Sequence, residues 1–146
     1  MANDRFAIVA ATFYRDLADR LIAGAIATLE EAGQSRVDSF EVPGAFELPF
    51  AALKAAESGA YAGVICVGAV IRGETDHYDF VCAEAARGIM DVSLRTGVPC
   101  GFGVLTVDSH DQALARSGGG KRDSGSHAAA AVLAQIDLAR QVGDGV

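Results

Sequence analysis

The stretch Gly73-Glu-Thr-Asp-His-Tyr-Asp79 holds the side chain best suited to chemistry, His77, just beyond the point where an apolar run, Val64 to Ile71, breaks at Arg72. Imidazole moves protons near neutral pH, and a polar segment opening a helical pattern leaves N–H groups that attract anions. Proton transfer beside an anion is the chemistry suggested; the bland alternative is a solvated first-turn histidine. Arg116, followed by Gly118-Gly-Gly120, can grip a phosphate with its planar fork or merely complement a helix C-terminus. Arg72 is open to the same two readings. Glu47, after Val42-Pro-Gly-Ala-Phe46, can accept from a polyol hydroxyl or complement a helix start, and Phe13 can stack on a planar ring or edge a core. Phe102 lies inside a strand-like run and reads as core. His110 and His127 sit in polar stretches that point to no chemistry.

Other classes of site find little support. Gly73-Glu-Thr75 fits neither common nucleotide-binding glycine motif, and neither G-x-S-x-G nor H-E-x-x-H occurs. The only lysines, Lys54 and Lys121, do not fall in apolar stretches, which disfavours an enzyme-bound Schiff base.

These residues need strands and helices to bring them together. Arg5 to Phe13 is a short apolar run, and Leu17, Leu21, Ile22, Ala25, Ile26 and Leu29 then mark one helix face that stops at Gly33. Ser35 to Val42 alternates like a strand and ends at Pro43-Gly44; a helix is expected over Ala45 to Ser58, with Pro49 in its first turn. A buried strand over Gly63 to Val70 and a helix from about Thr75 to Thr96 follow, the helix carrying Val81, Ala85, Gly88, Ile89 and Val92 on one stripe. The chain finishes with a strand over Cys100 to Val107, a short helix capped by Ser109 and reaching Arg116, and a helix over Ser126 to Val142. Alternating strands and helices predict a parallel sheet covered on both faces, with ligands at the carboxyl ends of the strands. Phe13, Val42 to Glu47, Ile71 to His77 and Val107 to Arg116 all fall at those ends.

At 146 residues and 51% hydrophobic content the chain fits one domain, residues 1–146. With no signal-peptide pattern and no long apolar span, a soluble cytoplasmic protein is expected, without membrane contact. A formal net charge of −7 argues against broad nucleic-acid binding. Cys66, Cys82 and Cys100 are an odd number in apolar surroundings, so buried thiols are expected rather than disulfides or a metal site.

Val42-Pro-Gly-Ala-Phe-Glu-Leu-Pro49, Gly68-Ala-Val-Ile-Arg-Gly-Glu-Thr-Asp-His-Tyr-Asp79, and Phe102-Gly-Val-Leu-Thr106 with Asp111-Gln-Ala-Leu-Ala-Arg116 together resemble the lumazine synthase family of riboflavin biosynthesis. The resemblance covers nearly the whole chain. It implies a flavodoxin-like three-layer α/β/α sandwich with a four-stranded parallel sheet. The implied activity is a transferase one: condensation of 5-amino-6-(D-ribitylamino)uracil with 3,4-dihydroxy-2-butanone 4-phosphate to 6,7-dimethyl-8-ribityllumazine, without metal or organic cofactor. By the same resemblance Phe13 stacks on the pyrimidine, and Ala45, Phe46, Glu47, Val70 and Ile71 contact pyrimidine and ribityl chain. Gly73, Glu74 and Thr75 hold the phosphate with Arg116, and His77 transfers protons. Phe102 and Arg116 come from the neighbouring subunit of a homopentamer, which makes a monomer inactive.

The chain departs from that pattern at Thr12 and Tyr14, where many relatives carry Arg and Asn. It also departs at Gly120 and Ser124, where relatives often carry lysines, with Lys121 displaced by one position. A weaker phosphate grip is the expected consequence. A short N-terminal arm and the altered Gly118 to Gly125 turn favour a free pentamer over a sixty-subunit shell.

Overall fold

The computed structural model describes residues 4–118 and 122–144, so Gly120 and Lys121 lie outside it. The core of the molecule is a parallel sheet of β1 (Arg5–Ala11), β2 (Arg36–Val42), β3 (Gly63–Ile71) and β4 (Cys100–Val107). Their order across the sheet is β2-β1-β3-β4, all pairs parallel. The chain steps outward from β1 to β2, then crosses back over β1 to β3 and on to β4. Right-handed crossovers taken in opposite directions put their helices on opposite faces. Thus α1 (Arg15–Glu31) covers one face, joined by α4 (His110–Ala115) and α5 (Ser124–Asp144), while α2 (Leu48–Glu57) and α3 (His77–Thr96) cover the other. This is the expected three-layer α/β sandwich.

Two apolar cores follow from the alternation of side chains along each strand. Phe6, Ile8 and Ala10 of β1 pack with Ile65, Val67 and Ala69 of β3 against Leu17, Leu21, Ala25 and Leu29 of α1 and Val132 of α5. Ala7, Val9, Val64 and Cys66 face the other way, onto Leu48 and Ala52 of α2 and Val81, Ala85 and Ile89 of α3. The predicted apolar stripes of α1 and α3 are the buried ones. Gly97 ends α3 at φ +74°, a left-handed conformation that only glycine adopts without strain.

Several boundaries move. Strand β1 ends at Ala11 rather than Phe13, freeing Phe13 for the connection to α1. The second helix is divided into a 3-10 turn over Ala45–Glu47 and α2 from Leu48, with Pro49 in the first turn, where its missing N–H costs no helical bond. Helix α3 starts at His77, two residues later than its pattern predicts. There the Thr75 hydroxyl accepts the His77 N–H at 3.3 Å, a local turn that competes with helix. Helix α5 begins at Ser124, earlier than expected, and β2 is an edge strand whose alternation leaves Phe40 45% exposed.

Cys66 and Cys100 are buried thiols as expected, but Cys82 is only half-buried, because its position on α3 turns it away from the sheet. Burial raises all three thiols, Cys66 well above the usual range and Cys100 to about 11. A raised thiol favours the folded state below its unfolded value of 9.0, and the Cys100 contribution is lost as pH climbs from there through about 11. At pH 8 a soluble alkylating reagent is expected to spare Cys66 and Cys100 in the native protein, label Cys82 slowly, and modify all three after denaturation. Rapid native labelling of Cys66, read by mass spectrometry, contradicts this.

Candidate active site

The carboxyl ends of β1 and β2 are pinned together by Thr12, whose N–H and hydroxyl both donate to the Val42 carbonyl at 3.0 and 3.3 Å. That pairing brings Phe13 beside the turn that follows β2. Phe13 is 75% exposed, and its ring meets Tyr14 edge to face with centroids 4.9 Å apart. In the turn, the Gly44 N–H donates to Glu47 Oε1 at 3.0 Å, so this carboxylate closes the 3-10 turn while also bordering the site.

At the end of β3, Arg72 is a strut. Its N–H donates to the Val107 carbonyl at 2.8 Å, its Nε to Asp108 Oδ1 at 2.9 Å, and its guanidinium lies 4.3 Å from the Tyr78 ring centre. Those partners tie the β3–α3 connection to the β4–α4 connection. In the structure Arg72 joins two loops, with the Asp79 carboxylate also 3.7 Å from its Nη1.

These segments enclose a cavity of about 620 Å³ at the ends of β1 and β3, where the strand order reverses. Such a reversal is where parallel sheets hold ligands, because the connections diverge to opposite faces and leave a crevice. Phe13, Ala45, Phe46 and Glu47 form one wall; Val70, Ile71, Gly73, Thr75 and His77 form the other. Glu74, expected beside Gly73 and Thr75, is not part of the lining. His77 is exposed on the wall of this cavity.

Six lining residues were not among the expected site residues, Tyr14, Gly44, Ala69, Tyr78, Phe80 and Val81, of which Tyr78 and Phe80 add ring surface from α3. Helical spacing was the available signal, since Phe80 lies three residues after His77 on the same face. Phe13, Phe46 and Phe80 expose 75%, 58% and 69% of their surface around one concavity. Burying a ring of that size is worth about 2 kcal/mol, so three exposed rings mark a surface built to be covered.

Phe102 and Arg116 do not join this cavity. Phe102, expected to be core, is 43% exposed on the edge strand β4: α3 covers Cys100 and Val104 on that face but leaves Phe102 and Thr106 open. Arg116 ends α4, donates from Nη1 to the Gln112 carbonyl at 3.0 Å, and borders a separate cavity of about 230 Å³ with Thr106, Gln112 and Ser124. The predicted Ser109 cap of α4 is present, its hydroxyl accepting the Gln112 N–H at 3.1 Å. Within one chain, therefore, neither Phe102 nor Arg116 lines the switch-point cavity. Among the described residues there is no cluster of His, Cys, Asp or Glu able to hold a metal ion, and no helix long and apolar enough to cross a membrane.

Residues 3–140 match the family model described as 6,7-dimethyl-8-ribityllumazine synthase. A protein of that name from Deinococcus deserti is 46% identical over 145 residues, covering 97% of this chain and 93% of its own. One from Nitratidesulfovibrio vulgaris is 47% identical over 140 residues, covering 94% and 90%, and one from Deinococcus radiodurans 44% identical over 145 residues, covering 97% and 94%. Agreement at that level along nearly the full length joins the motifs to the crevice they line, and the chain belongs to the 6,7-dimethyl-8-ribityllumazine synthase family.

Proposed function

We propose that this chain condenses 5-amino-6-(D-ribitylamino)uracil with 3,4-dihydroxy-2-butanone 4-phosphate, releasing phosphate and water and forming 6,7-dimethyl-8-ribityllumazine, in the cytoplasm and without a metal or organic cofactor. The observation that carries this reading is the switch-point cavity, bordered by ring-stacking surfaces on one side and by Gly73, Thr75 and His77 on the other. The pyrimidine lies against Phe13, its ribityl hydroxyls reach Glu47 and the backbone of Ala45 and Phe46, and Val70 and Ile71 form the floor. The substrate's own 5-amino group attacks the ketone carbonyl, so the site needs no nucleophilic side chain. His77 takes the proton released as the imine forms and returns one to the departing water, then serves again during phosphate loss. The chief contribution is to hold two reactants in attack geometry, an effect worth up to about 7–11 kcal/mol in well-oriented systems.

The phosphate sits at Gly73 to Thr75, before the start of α3, and is completed by Arg116. Arg116 and Phe102 are supplied by the neighbouring subunit of a homopentamer; their absence from the lining of the chain's own switch-point cavity supports this reading. Six of the seven phenylalanines, all but Phe6, are exposed, a pattern that supports extensive association of copies. The direct test is to mix protein with both substrates and follow lumazine absorbance. A rate above the spontaneous condensation is expected, and a rate no greater than that background sinks the proposal.

A further inference from the structure

We propose that Arg20, on α1 and outside the cavity, is the positioning residue of the phosphate site, holding the turn that presents Arg116; this rests on the reading of Arg116 as a phosphate ligand. Arg20 Nε donates to Ser117 Oγ at 2.9 Å, and Nη2 donates to the Leu114 carbonyl at 3.3 Å and to the Gly118 carbonyl. All three acceptors lie within two residues of Arg116. The Leu114 carbonyl belongs to the last turn of α4, where it also accepts the Ser117 N–H at 3.4 Å, so Arg20 adds a charged donor from a neighbouring helix to the C-terminal cap of α4.

The arrangement is selective. The carboxylates closest to Arg20 on α1 are engaged elsewhere, Asp16 with His110 at 2.9 Å and Asp19 with Arg15 at 3.8 Å. Among the described residues no carboxylate pairs with Arg20; the Asp123 carboxylate, which lies against Gly118 in the same turn, accepts the Ser126 N–H at 3.1 Å instead. Ser117 is 1% exposed, and its hydroxyl also donates to the Leu114 carbonyl at 3.3 Å. The Arg116 carbonyl accepts the Ser124 N–H at 2.9 Å, so the backbone of this residue is held from both sides, while the guanidinium gives one N–H, from Nη1, to the Gln112 carbonyl at 3.0 Å and keeps its other donors for an anion. A forked, charged donor fits three acceptors at once; an ammonium on a flexible stem does not.

The experiment compares steady-state kinetics of Arg20→Met, Arg20→Lys, Arg116→Ala and the Arg20→Met/Arg116→Ala pair. Loosening a binding group by about an ångström costs up to about a hundredfold, so Arg20→Met is expected to raise KM for the butanone phosphate about tenfold. KM for the pyrimidine should stay within about twofold, Arg20→Lys should fall between, and Arg20→Met should add nothing once Arg116 is gone. An equal rise in both KM values, a lowered Tm with both KM values unchanged, or additive effects in the pair each overturn the proposal. If Arg116→Ala itself leaves KM for the butanone phosphate unchanged, the phosphate reading of Arg116 falls. If it raises that KM and Arg20→Met does not, only the inference about Arg20 falls.

Discussion

Oligomers assembled from equal amounts of Phe13→Ala/His77→Ala and Arg116→Ala subunits are expected to recover activity that neither variant has alone. Each variant by itself should lose more than about tenfold, since proton transfer and stabilisation of a leaving anion are each commonly worth a hundredfold or more. The recovery follows from where the residues lie. Phe13 and His77 border the switch-point cavity, whereas Arg116 borders a separate cavity of the same chain. On the shared-site proposal every junction of a closed ring joins one subunit's cavity to the next subunit's Arg116, so random mixing makes about a quarter of the junctions fully wild type. Co-expression or refolding from denaturant supplies the mixing, and lumazine formation per junction is the readout. A mixture no more active than the mean of its two parents means that each site is built within one chain, and the shared-site proposal fails.

The parts of this arrangement that were legible in the sequence are those written as local patterns. The run from Gly63 to Ile71 is apolar at almost every position because β3 is buried on both faces, and its continuous character marked it as a central strand. Strand β4 has the bounds its pattern predicts, since turn residues flank it on both sides. The convergence of Phe13, Ala45 to Glu47 and Gly73 to His77 on one rim followed from parallel topology alone. The local pattern alone read Phe102 as core, because exposure on an edge strand depends on how far α3 reaches across it, and no local pattern records that distance. Tyr78 and Phe80 were passed over beside the more conspicuous His77. Arg20 could not be read at all: two of its three acceptors are backbone carbonyls more than ninety residues away, and any residue type offers a carbonyl.

Replacing Gly125 by alanine is expected to damage both the fold and the site, through the packing of α5 against α1. A Cβ built at Gly125 would stand 2.1 Å from the Leu21 carbonyl oxygen, 2.8 Å from its carbon and 3.0 Å from its Cα. These are backbone atoms inside a helix, so no rotamer change relieves the overlap and the two helices must separate. Overpacking of this kind costs about 1–3 kcal/mol or more, while alanine in place of glycine inside a helix returns at most about 1 kcal/mol. A net loss of about 2 kcal/mol should lower Tm by about 4–8 °C in a chain of this size. Gly143→Ala is the control, because nothing lies within 4 Å of a Cβ there and the same helix gains only propensity. Leu21 follows Arg20, so a shift of α1 also draws the guanidinium away from Ser117 and Gly118. Gly125→Ala should then raise KM for the butanone phosphate in the direction of Arg20→Met, with the pyrimidine KM little changed. A Tm equal to that of Gly143→Ala contradicts the packing account; a lowered Tm with an unchanged KM for the butanone phosphate separates the fold from the site and removes α1 from the support of Arg116.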